Sequence, residues 1–149
     1  MIGAQLYFPE NLTAILNGKD TMPLNILYHN SKLVVWYDST ECSSCRIRHL
    51  FAWNDIISYA NSLGNDFDVI FIFSPSYKDA ENVNTALHSN QFGHTIYIDS
   101  ERDFYRQRVK LPKRDYLRCF LLDKNNKVVL VADFGDTRPV ISEIPVHYC

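Results

Sequence analysis

The chain alternates between short, continuous apolar runs and longer stretches in which apolar residues recur at helical spacing. The first run, residues 33–37, is β-branched and aromatic, and it predicts a strand that is buried on both faces. Apolar residues then recur at helical spacing from residue 45 to about residue 63, which predicts a helix. Residues 68–73 form a second apolar run, and we interpret them as a second buried strand.

The second half of the chain continues this alternation with shorter elements. Residues 78–90 predict a polar helix, residues 95–98 a third strand, and residues 102–109 a short helix. Two apolar runs, 119–122 and 128–131, flank a polar turn that contains asparagine and predict an antiparallel hairpin. Because strands that alternate with helices form parallel βαβ units, the pattern predicts an α/β fold with a central mixed β-sheet flanked by helices.

The first part of the chain lacks this regular pattern and contains proline, glycine and several asparagines. Leu12, Ile15 and Leu16 have the spacing of one face of a short helical turn. A length of 149 residues is typical of one domain. We therefore expect residues 1–31 to be an N-terminal extension packed on the domain, and residues 32–149 to be the domain itself.

The overall composition excludes several classes of protein. Hydrophobic residues make up 46% of the chain and charged residues 21%, which are globular values and argue against disorder. The formal net charge is −2, whereas nucleic-acid binders typically have a basic surface. We therefore expect no nucleic-acid partner. No apolar run approaches the roughly 20 residues of a membrane span, and the first residues lack the basic and apolar regions of a signal peptide.

Cys42 and Cys45, separated by Ser43 and Ser44, stand where the first predicted strand meets the first predicted helix. Residues three apart on a helix share a face, which brings the two Cα atoms within disulfide range. The unpaired N–H groups and the partial positive charge at a helix N-terminus favour a thiolate at Cys42. We therefore predict Cys42 as the attacking sulfur and Cys45, the less exposed one, as the resolving sulfur.

Other interpretations of the cysteines remain open from the residues alone. The pair could form a structural disulfide or remain as two buried thiols. A zinc site would need two more ligands; His49 lies one helical turn after Cys45, but no fourth ligand follows at a suitable spacing, so we expect no metal. We interpret Cys119 as a buried apolar cysteine rather than a third redox partner. Cys149 is either a free thiol or part of an intermolecular bridge.

Two segments carry a resemblance to a known family. The sequences VVWYDSTECSSC at 34–45 and CFLLDKNNKVV at 119–129 resemble the thioredoxin-like superfamily. Ile96, Tyr97, Ile98 and Asp99, with Tyr105 after them, resemble the strand and the aromatic helix that precede the hairpin in this family. Within the superfamily the chain is most similar to bacterial envelope thiol–disulfide oxidoreductases of the redoxin and cytochrome-maturation type, including uncharacterised thioredoxin-like proteins of Bacteroidetes.

The resemblance implies an activity, partners and a compartment. Members of this family exchange disulfides with proteins through a CxxC motif, and they use no cofactor. The resemblance therefore implies protein thiols or disulfides as substrates, an envelope redox partner, and a location in the cell envelope or periplasm. These expectations rest on the resemblance, because nothing in the residues themselves identifies a compartment.

Three positions depart from the family pattern. Trp36 stands six residues before the first cysteine, where thioredoxins have a buried, proton-relaying aspartate. Leu117 takes the position of a cis-proline, and Glu41 that of an aromatic residue. Together with Ser43 and Ser44, Leu117 and Glu41 are the candidate residues of a substrate groove. The departures favour an alternative function, a non-catalytic thioredoxin-like binding module whose CxxC is structural or vestigial.

A peroxidase is a further alternative, suggested by one residue. Ser39 stands three residues before Cys42, as the threonine or serine of a peroxidase active site does. Such peroxidases also carry a proline seven residues before that cysteine, whereas this chain has Val35. The sequence therefore favours thiol–disulfide exchange over peroxide reduction.

Overall fold

A computed structural model describes residues 3–22, 31–37, 47, 50–62, 67–110 and 117–132 of the chain. The strands in these ranges are β1 Thr13–Leu16, β2 Lys19–Thr21, β3 Ser31–Tyr37, β4 Phe67–Phe73, β5 Ile96–Ile98, β6 Leu117–Leu122 and β7 Val128–Ala132. The helices are α1 Asn54–Ser62 and α2 Ala80–Ser89, together with two 3-10 helices, Leu50–Trp53 and Tyr105–Lys110. In this part of the chain no helix is long and apolar enough to cross a membrane.

The strands form one sheet with the order β2-β1-β5-β4-β3-β6-β7. β3, β4 and β5 are parallel to one another, whereas β6 pairs with β3 antiparallel and β1 pairs with β5 antiparallel. β6 and β7 form the antiparallel hairpin that the sequence predicts. The predicted α/β architecture with a central mixed sheet is therefore confirmed.

β3 occupies the central position because its sequence can be buried on both faces. Its residues from Lys32 to Tyr37 are all buried, and β4 and β6 cover its two edges. Side chains alternate across a strand with a period of two, so successive residues face opposite sides of the sheet. Accordingly, Val35 and Tyr37 enter one hydrophobic cluster, and Val34 and Trp36 enter another.

The first cluster, here called the helix-side core, lies between the sheet and both α-helices. Because the β3–β4 and β4–β5 crossovers run in the same direction along the sheet, right-handed connections place α1 and α2 on one face. The helical segments bury apolar side chains in this core: Ile47, Leu50, Trp53, Ile56, Ala60, Val83 and Leu87. Ile47 and the helical residues from Leu50 onward therefore pack on the same face as Val35 and Tyr37.

The second cluster, here called the opposite core, lies on the other face of the sheet, where the described part of the chain contributes no α-helix. Leu6, Phe8 and Leu12 come from the N-terminal segment and pack with Trp36 and Phe104. Phe8 stacks on Phe104 with ring centroids 5.6 Å apart, and Trp36 meets Phe104 edge to face at 5.2 Å. Aromatic rings supply much apolar area from few residues, so this short segment can cover the sheet.

The prediction of a short helical turn around residues 12–16 was wrong, because Thr13–Leu16 is strand β1. The chain reverses at Asn17 and Gly18, whose φ angles are 55° and 77°, and returns as β2. Two successive residues with positive φ are typical of the tight hairpin turn that Asn-Gly favours. That dipeptide was the signal in the sequence that could have predicted the hairpin.

Two predicted helices also differ in form from the sequence-based expectation. Within the segment 45–63, residues Leu50–Trp53 form a 3-10 helix before α1 begins. The short helix predicted over 102–109 is a 3-10 helix over Tyr105–Lys110. Periodicity of apolar residues cannot separate these forms, because residues three apart share a face in both of them.

Candidate functional site at the carboxyl edge of the sheet

The carboxyl ends of the three parallel strands are tied together by backbone hydrogen bonds. The N–H of Ser74, just after β4, donates to the carbonyl of Tyr37, the last residue of β3, at 2.9 Å. The N–H of Asp99, just after β5, donates to the carbonyl of Phe73 at 2.8 Å. The CSSC motif begins five residues after Tyr37, so the chain enters it from this edge.

The motif itself lies outside the described residues. This holds for both candidate catalytic cysteines and for three of the candidate groove residues, namely Cys42, Cys45, Glu41, Ser43 and Ser44. The alternatives that rest on Ser39, His49 and Cys149 lie outside them too. The structure therefore describes what surrounds the motif along the chain, from Tyr37 before it to Ile47 after it.

Both of these flanking residues are held in the helix-side core. Tyr37 stacks on Phe73 with ring centroids 4.4 Å apart, and its hydroxyl accepts a hydrogen bond from Trp53 Nε1–H at 3.2 Å. Ile47 is buried in the same core, and its carbonyl accepts a hydrogen bond from the Asn90 side chain at 3.0 Å. The described residues on either side of the motif, Tyr37 and Ile47, therefore both lie in this core.

Leu117 is the one candidate groove residue whose backbone the structure places. It begins β6, and its register partner is Tyr37 at the end of β3. The backbone of Leu117 consequently lies beside the strand end that leads into the CSSC motif.

Trp36 points away from the helices. Its side chain belongs to the opposite core, and its Nε1–H donates to Ser74 Oγ at 2.9 Å. An aspartate at position 36 would therefore face Ser74 and Phe104, on the side of the sheet away from α1. In the sequence, Trp36 stands where thioredoxins have a proton-relaying aspartate. In the structure, its side chain packs in the opposite core.

Asp99 organises the same edge, which the sequence analysis missed. Its buried carboxylate accepts hydrogen bonds from Ser74 Oγ at 2.7 Å and from the backbone N–H groups of Phe104 at 3.0 Å and Tyr105 at 2.8 Å. Since a buried carboxylate needs several donors, these bonds fix the loop after β4 against the start of the 3-10 helix. The available signal was an acidic residue placed directly after an apolar strand.

Cys119 differs most from its sequence-based interpretation. It lies on β6 opposite Val35, is 1% exposed, and belongs to the helix-side core. Its burial agrees with the interpretation as an apolar cysteine, but its sulfur takes part in a disulfide. The other three cysteines of the chain lie outside the described residues.

Among the described residues, no group of three or more His, Cys, Asp or Glu side chains is arranged to hold a metal ion. The three ligands considered for zinc, Cys42, Cys45 and His49, are not among those residues. The absence of a metal site at the motif therefore stays a prediction.

Known proteins are similar to this chain in structure, but no known sequence family matches it. No protein-family model matches the chain, and a search of curated proteins finds no match. AhpC from Enterococcus faecalis aligns with a TM-score of 0.58 at 13% identity, covering 93% of this chain and 86% of its own.

Two further solved structures are similar to the chain. A candidate protein disulfide isomerase from Bacteroides thetaiotaomicron aligns with a TM-score of 0.53 at 21% identity, covering 89% of this chain and 78% of its own. The exposed lipoprotein thioredoxin Etrx1 from Streptococcus pneumoniae aligns with a TM-score of 0.50 at 19% identity, over 74% of this chain and 78% of its own. With the parallel β3–β4 unit, the antiparallel β6–β7 hairpin and the helices packed over them, these alignments establish that the chain has the thioredoxin-like fold.

Proposed function

We propose that this protein is a thiol–disulfide oxidoreductase that exchanges protein disulfides through Cys42 and Cys45. The observation that supports the proposal is the position of the CSSC motif in the sequence relative to the described elements. In the sequence it comes after the central parallel strand β3, which ends at the carboxyl edge of the sheet, and before the buried residue Ile47. Ligand and active sites of open α/β sheets lie outside this edge.

The proposed exchange proceeds in two steps. The Cys42 thiolate attacks one sulfur of a substrate disulfide, forms a mixed disulfide with it, and releases the other substrate sulfur as a thiolate. Cys45 then loses its proton and attacks the Cys42 sulfur, which forms the Cys42–Cys45 disulfide and releases the second substrate thiolate. The substrate gains two electrons, the chain loses two, and no cofactor takes part.

Protein substrates and a location in the cell envelope are part of the same proposal. The similar structures include a candidate protein disulfide isomerase and an exposed lipoprotein thioredoxin, which supports protein thiols or disulfides as substrates. The lipoprotein also supports a place in the cell envelope, where disulfides persist, and an envelope redox partner there.

Reduction of insulin disulfides by dithiothreitol tests the proposal, and loss of Cys42 is the decisive change. We expect the wild type to accelerate the reaction and Cys42→Ser to abolish the acceleration, because a serine hydroxyl cannot form the mixed disulfide. The chain has neither a cis-proline at position 117 nor a relay aspartate. By analogy with other positioned groups, we expect each absence to lower the rate of insulin reduction about 10- to 100-fold, so the wild type should be slower than a thioredoxin.

Cys149→Ser is the matched control, since it also removes one cysteine and should retain wild-type activity in the insulin assay. Equal activity in the wild type and in Cys42→Ser would contradict the proposal. A wild type that is inactive with every thiol donor would favour the non-catalytic binding module.

Peroxide reduction is the second candidate, favoured by Ser39, which stands three residues before Cys42. Consumption of hydrogen peroxide with a thiol donor distinguishes it from disulfide exchange. A peroxidase would consume peroxide in a Cys42-dependent manner while remaining inactive on insulin.

A further inference from the structure

We propose that Arg102 binds an acidic side chain of the protein substrate at the carboxyl edge of the sheet. This inference rests on the proposed function and names the class of its substrates, which are proteins with aspartate or glutamate close to the disulfide. It starts from the position of the Arg102 guanidinium against the rings of Tyr105 and Tyr77. These three residues are here called the Arg102 site.

The Arg102 site is built on the loops that follow β4 and β5. The Nη1 group of Arg102, after β5, donates to the carbonyls of Ser74 at 3.2 Å and Pro75 at 2.6 Å, which come after β4. The N–H of the same Ser74 donates to the carbonyl of Tyr37 at the end of β3. Ser74 therefore joins the arginine directly to the end of the central strand.

The aromatic rings hold the guanidinium in place. Its central carbon lies 3.8 Å from the centroid of the Tyr105 ring and 5.9 Å from that of Tyr77. The backbone N–H of Tyr105 donates to the buried Asp99 carboxylate at 2.8 Å, and its ring meets Trp36 edge to face. A guanidinium stacked on a ring keeps its N–H groups available at its edges. The site is therefore preorganised, which lowers the entropic cost of binding a ligand.

The donors of Arg102 that remain after these contacts match a carboxylate. Nη1 is used by the two carbonyls, whereas Nε and Nη2 lie on the other side of the guanidinium and form a fork of two N–H donors. Within the described ranges, no group accepts a hydrogen bond from this fork, and no carboxylate forms an ion pair with Arg102. The two oxygens of a carboxylate bind such a fork in a bidentate manner.

The acidic residues of the same loop do not neutralise the charge of Arg102. The Asp99 carboxylate accepts hydrogen bonds from Ser74 and from two backbone N–H groups. Asp103 forms an ion pair with Arg106, and Glu101 is exposed and forms no ion pair with Arg102. The positive charge is therefore left for a ligand from outside the chain.

The backbone of Arg102 is strained, which glycine or asparagine at this position would relieve. Its φ angle is 59°, in the left-handed region, where the Cβ of most residues approaches the carbonyl oxygen too closely. Strained residues cluster at functional sites, and the sites of open α/β sheets lie at this edge. The strain therefore favours a functional role for the arginine side chain.

The exposed ring of Tyr77 favours a protein ligand over a free anion. The Tyr77 side chain is 70% exposed beside the guanidinium, and aromatic residues and arginine are both enriched in protein interfaces. A glutamate or aspartate that bonds the fork can place its methylene groups on this ring, whereas an inorganic anion has no apolar part. The site therefore fits an acidic residue of a polypeptide.

Matched peptides test the preference in the wild type. Each peptide has two cysteines joined by a disulfide and blocked ends, and one glutamate is moved through the positions that flank the cysteines. The parent peptide carries glutamine at all of these positions. With dithiothreitol as the thiol donor at low ionic strength, we expect at least one glutamate position to lower the KM for peptide reduction about 10-fold, with kcat little changed. If no glutamate position lowers the KM, the proposal is wrong.

The Arg102→Asn variant tests whether this arginine is responsible. Asparagine tolerates the left-handed backbone, so the turn keeps its conformation while the guanidinium is lost. Arg106→Asn is the matched control, because it removes the same charge from an exposed side chain four residues further on. We expect the preference for glutamate to disappear in Arg102→Asn and to persist in Arg106→Asn. A preference that survives in Arg102→Asn, or that disappears equally in both variants, would contradict the assignment.

Binding without chemistry separates this proposal from the proposed function. The same peptides with serine in place of both cysteines and with a fluorescein label cannot exchange disulfides, so their fluorescence anisotropy measures affinity alone. If glutamate lowers the Kd about 10-fold through Arg102 but no disulfide peptide is reduced, the acidic-ligand site stands and the proposed function fails. If the disulfide peptides are reduced and glutamate changes neither KM nor Kd, the proposed function stands and the acidic-ligand site fails.

Discussion

Lys32 is a charged residue whose side chain is fully buried near the start of the central strand. Its Nζ donates to Asn126 Oδ1 at 2.5 Å and lies 5.7 Å from the centre of the Phe8 ring. Burial lowers the pKa of Lys32 to about 8, while the negative charges of Asp123 and Asp68 oppose the shift. At neutral pH the folded protein is therefore less stable with Lys32 charged than it would be with Lys32 uncharged.

The stability of the protein should rise with pH because of Lys32. Its folded-state pKa of about 8 lies below its ordinary value of 10.5, so between these pH values the unfolded chain binds more protons. We expect this residue to add up to about 3 kcal/mol to the free energy of unfolding between pH 7.5 and pH 10.5. Urea unfolding across this range, compared with Lys32→Met, measures the contribution.

The comparison with Lys32→Met is needed because tyrosines and cysteines also titrate in this range. Lys124→Met is the matched control, since Lys124 is exposed in the β6–β7 turn and should leave the pH dependence of the wild type unchanged. An unfolding free energy with the same pH dependence in Lys32→Met and the wild type would show that Lys32 keeps its ordinary pKa.

At the scale of single elements, the β1–β2 hairpin shows how one glycine adapts an element to its neighbour. Gly18 has a positive φ of 77°, and a Cβ built on it would lie only 2.5 Å from the carbonyl oxygen of His88 in α2. Glycine is therefore required twice, once by the turn and once by the close approach of the helix. The hairpin extends the sheet beyond β5 and seats its turn against α2.

Gly18→Ala should destabilise the protein more than Gly3→Ala. Both glycines have positive φ, but a Cβ on Gly3 would have no atom within 4 Å. We expect Gly3→Ala to cost about 1 kcal/mol from backbone strain alone, and Gly18→Ala at least about 2 kcal/mol because α2 or the turn must move. Thermal and urea unfolding of both variants measure the difference; equal losses would show that the clash with His88 is relieved without cost.

Elements with a continuous apolar pattern were predicted well, and elements defined by distant contacts were not. The predicted strands at 33–37 and 68–73 lie within β3 and β4. Continuous apolar runs such as 33–37 and 69–73 are typical of strands in the middle of a sheet, where both faces are buried. β1 was missed because Thr13–Leu16 is short and pairs with β5, whose partner the sequence does not reveal.

At the scale of the whole molecule, the two faces of the sheet are covered by different means. The helix-side core is covered by α1, α2 and the 3-10 helix before α1. In the described part of the chain, the opposite core is covered by the N-terminal segment. This segment is also fixed by backbone bonds, including those of Gly3 and Leu6 to the β6–β7 hairpin. Residues before β1 therefore complete the second core of the molecule.

Removal of the Phe8 side chain should destabilise the molecule strongly. Phe8 is 4% exposed and stacks on Phe104, so we expect Phe8→Ala to cost about 3–5 kcal/mol from lost burial and the remaining cavity. Tyr7→Ala is the control, since the neighbouring Tyr7 side chain is 52% exposed and should contribute far less. Urea unfolding measures both, and similar small losses would show that the N-terminal segment is not required for the fold.

The strand pattern around β3 and the candidate chemistry of the CSSC motif could both be predicted from the amino-acid sequence. Local pattern is sufficient for this, because a buried strand, a hairpin turn and a pair of cysteines are each encoded by residues close together in the chain. The function of the motif remains a proposal, with the insulin assay as its test.

Contacts between residues far apart in the sequence could be identified only in the folded molecule. Alternation along β3 predicts that Trp36 and Tyr37 face opposite sides, but the packing of α1 decides which side carries the helices. The pairing of Lys32 with Asn126 and the disulfide at Cys119 likewise depend on contacts between segments far apart in the chain. Such contacts depend on strand order and register, which are fixed by the simultaneous burial of both sheet faces.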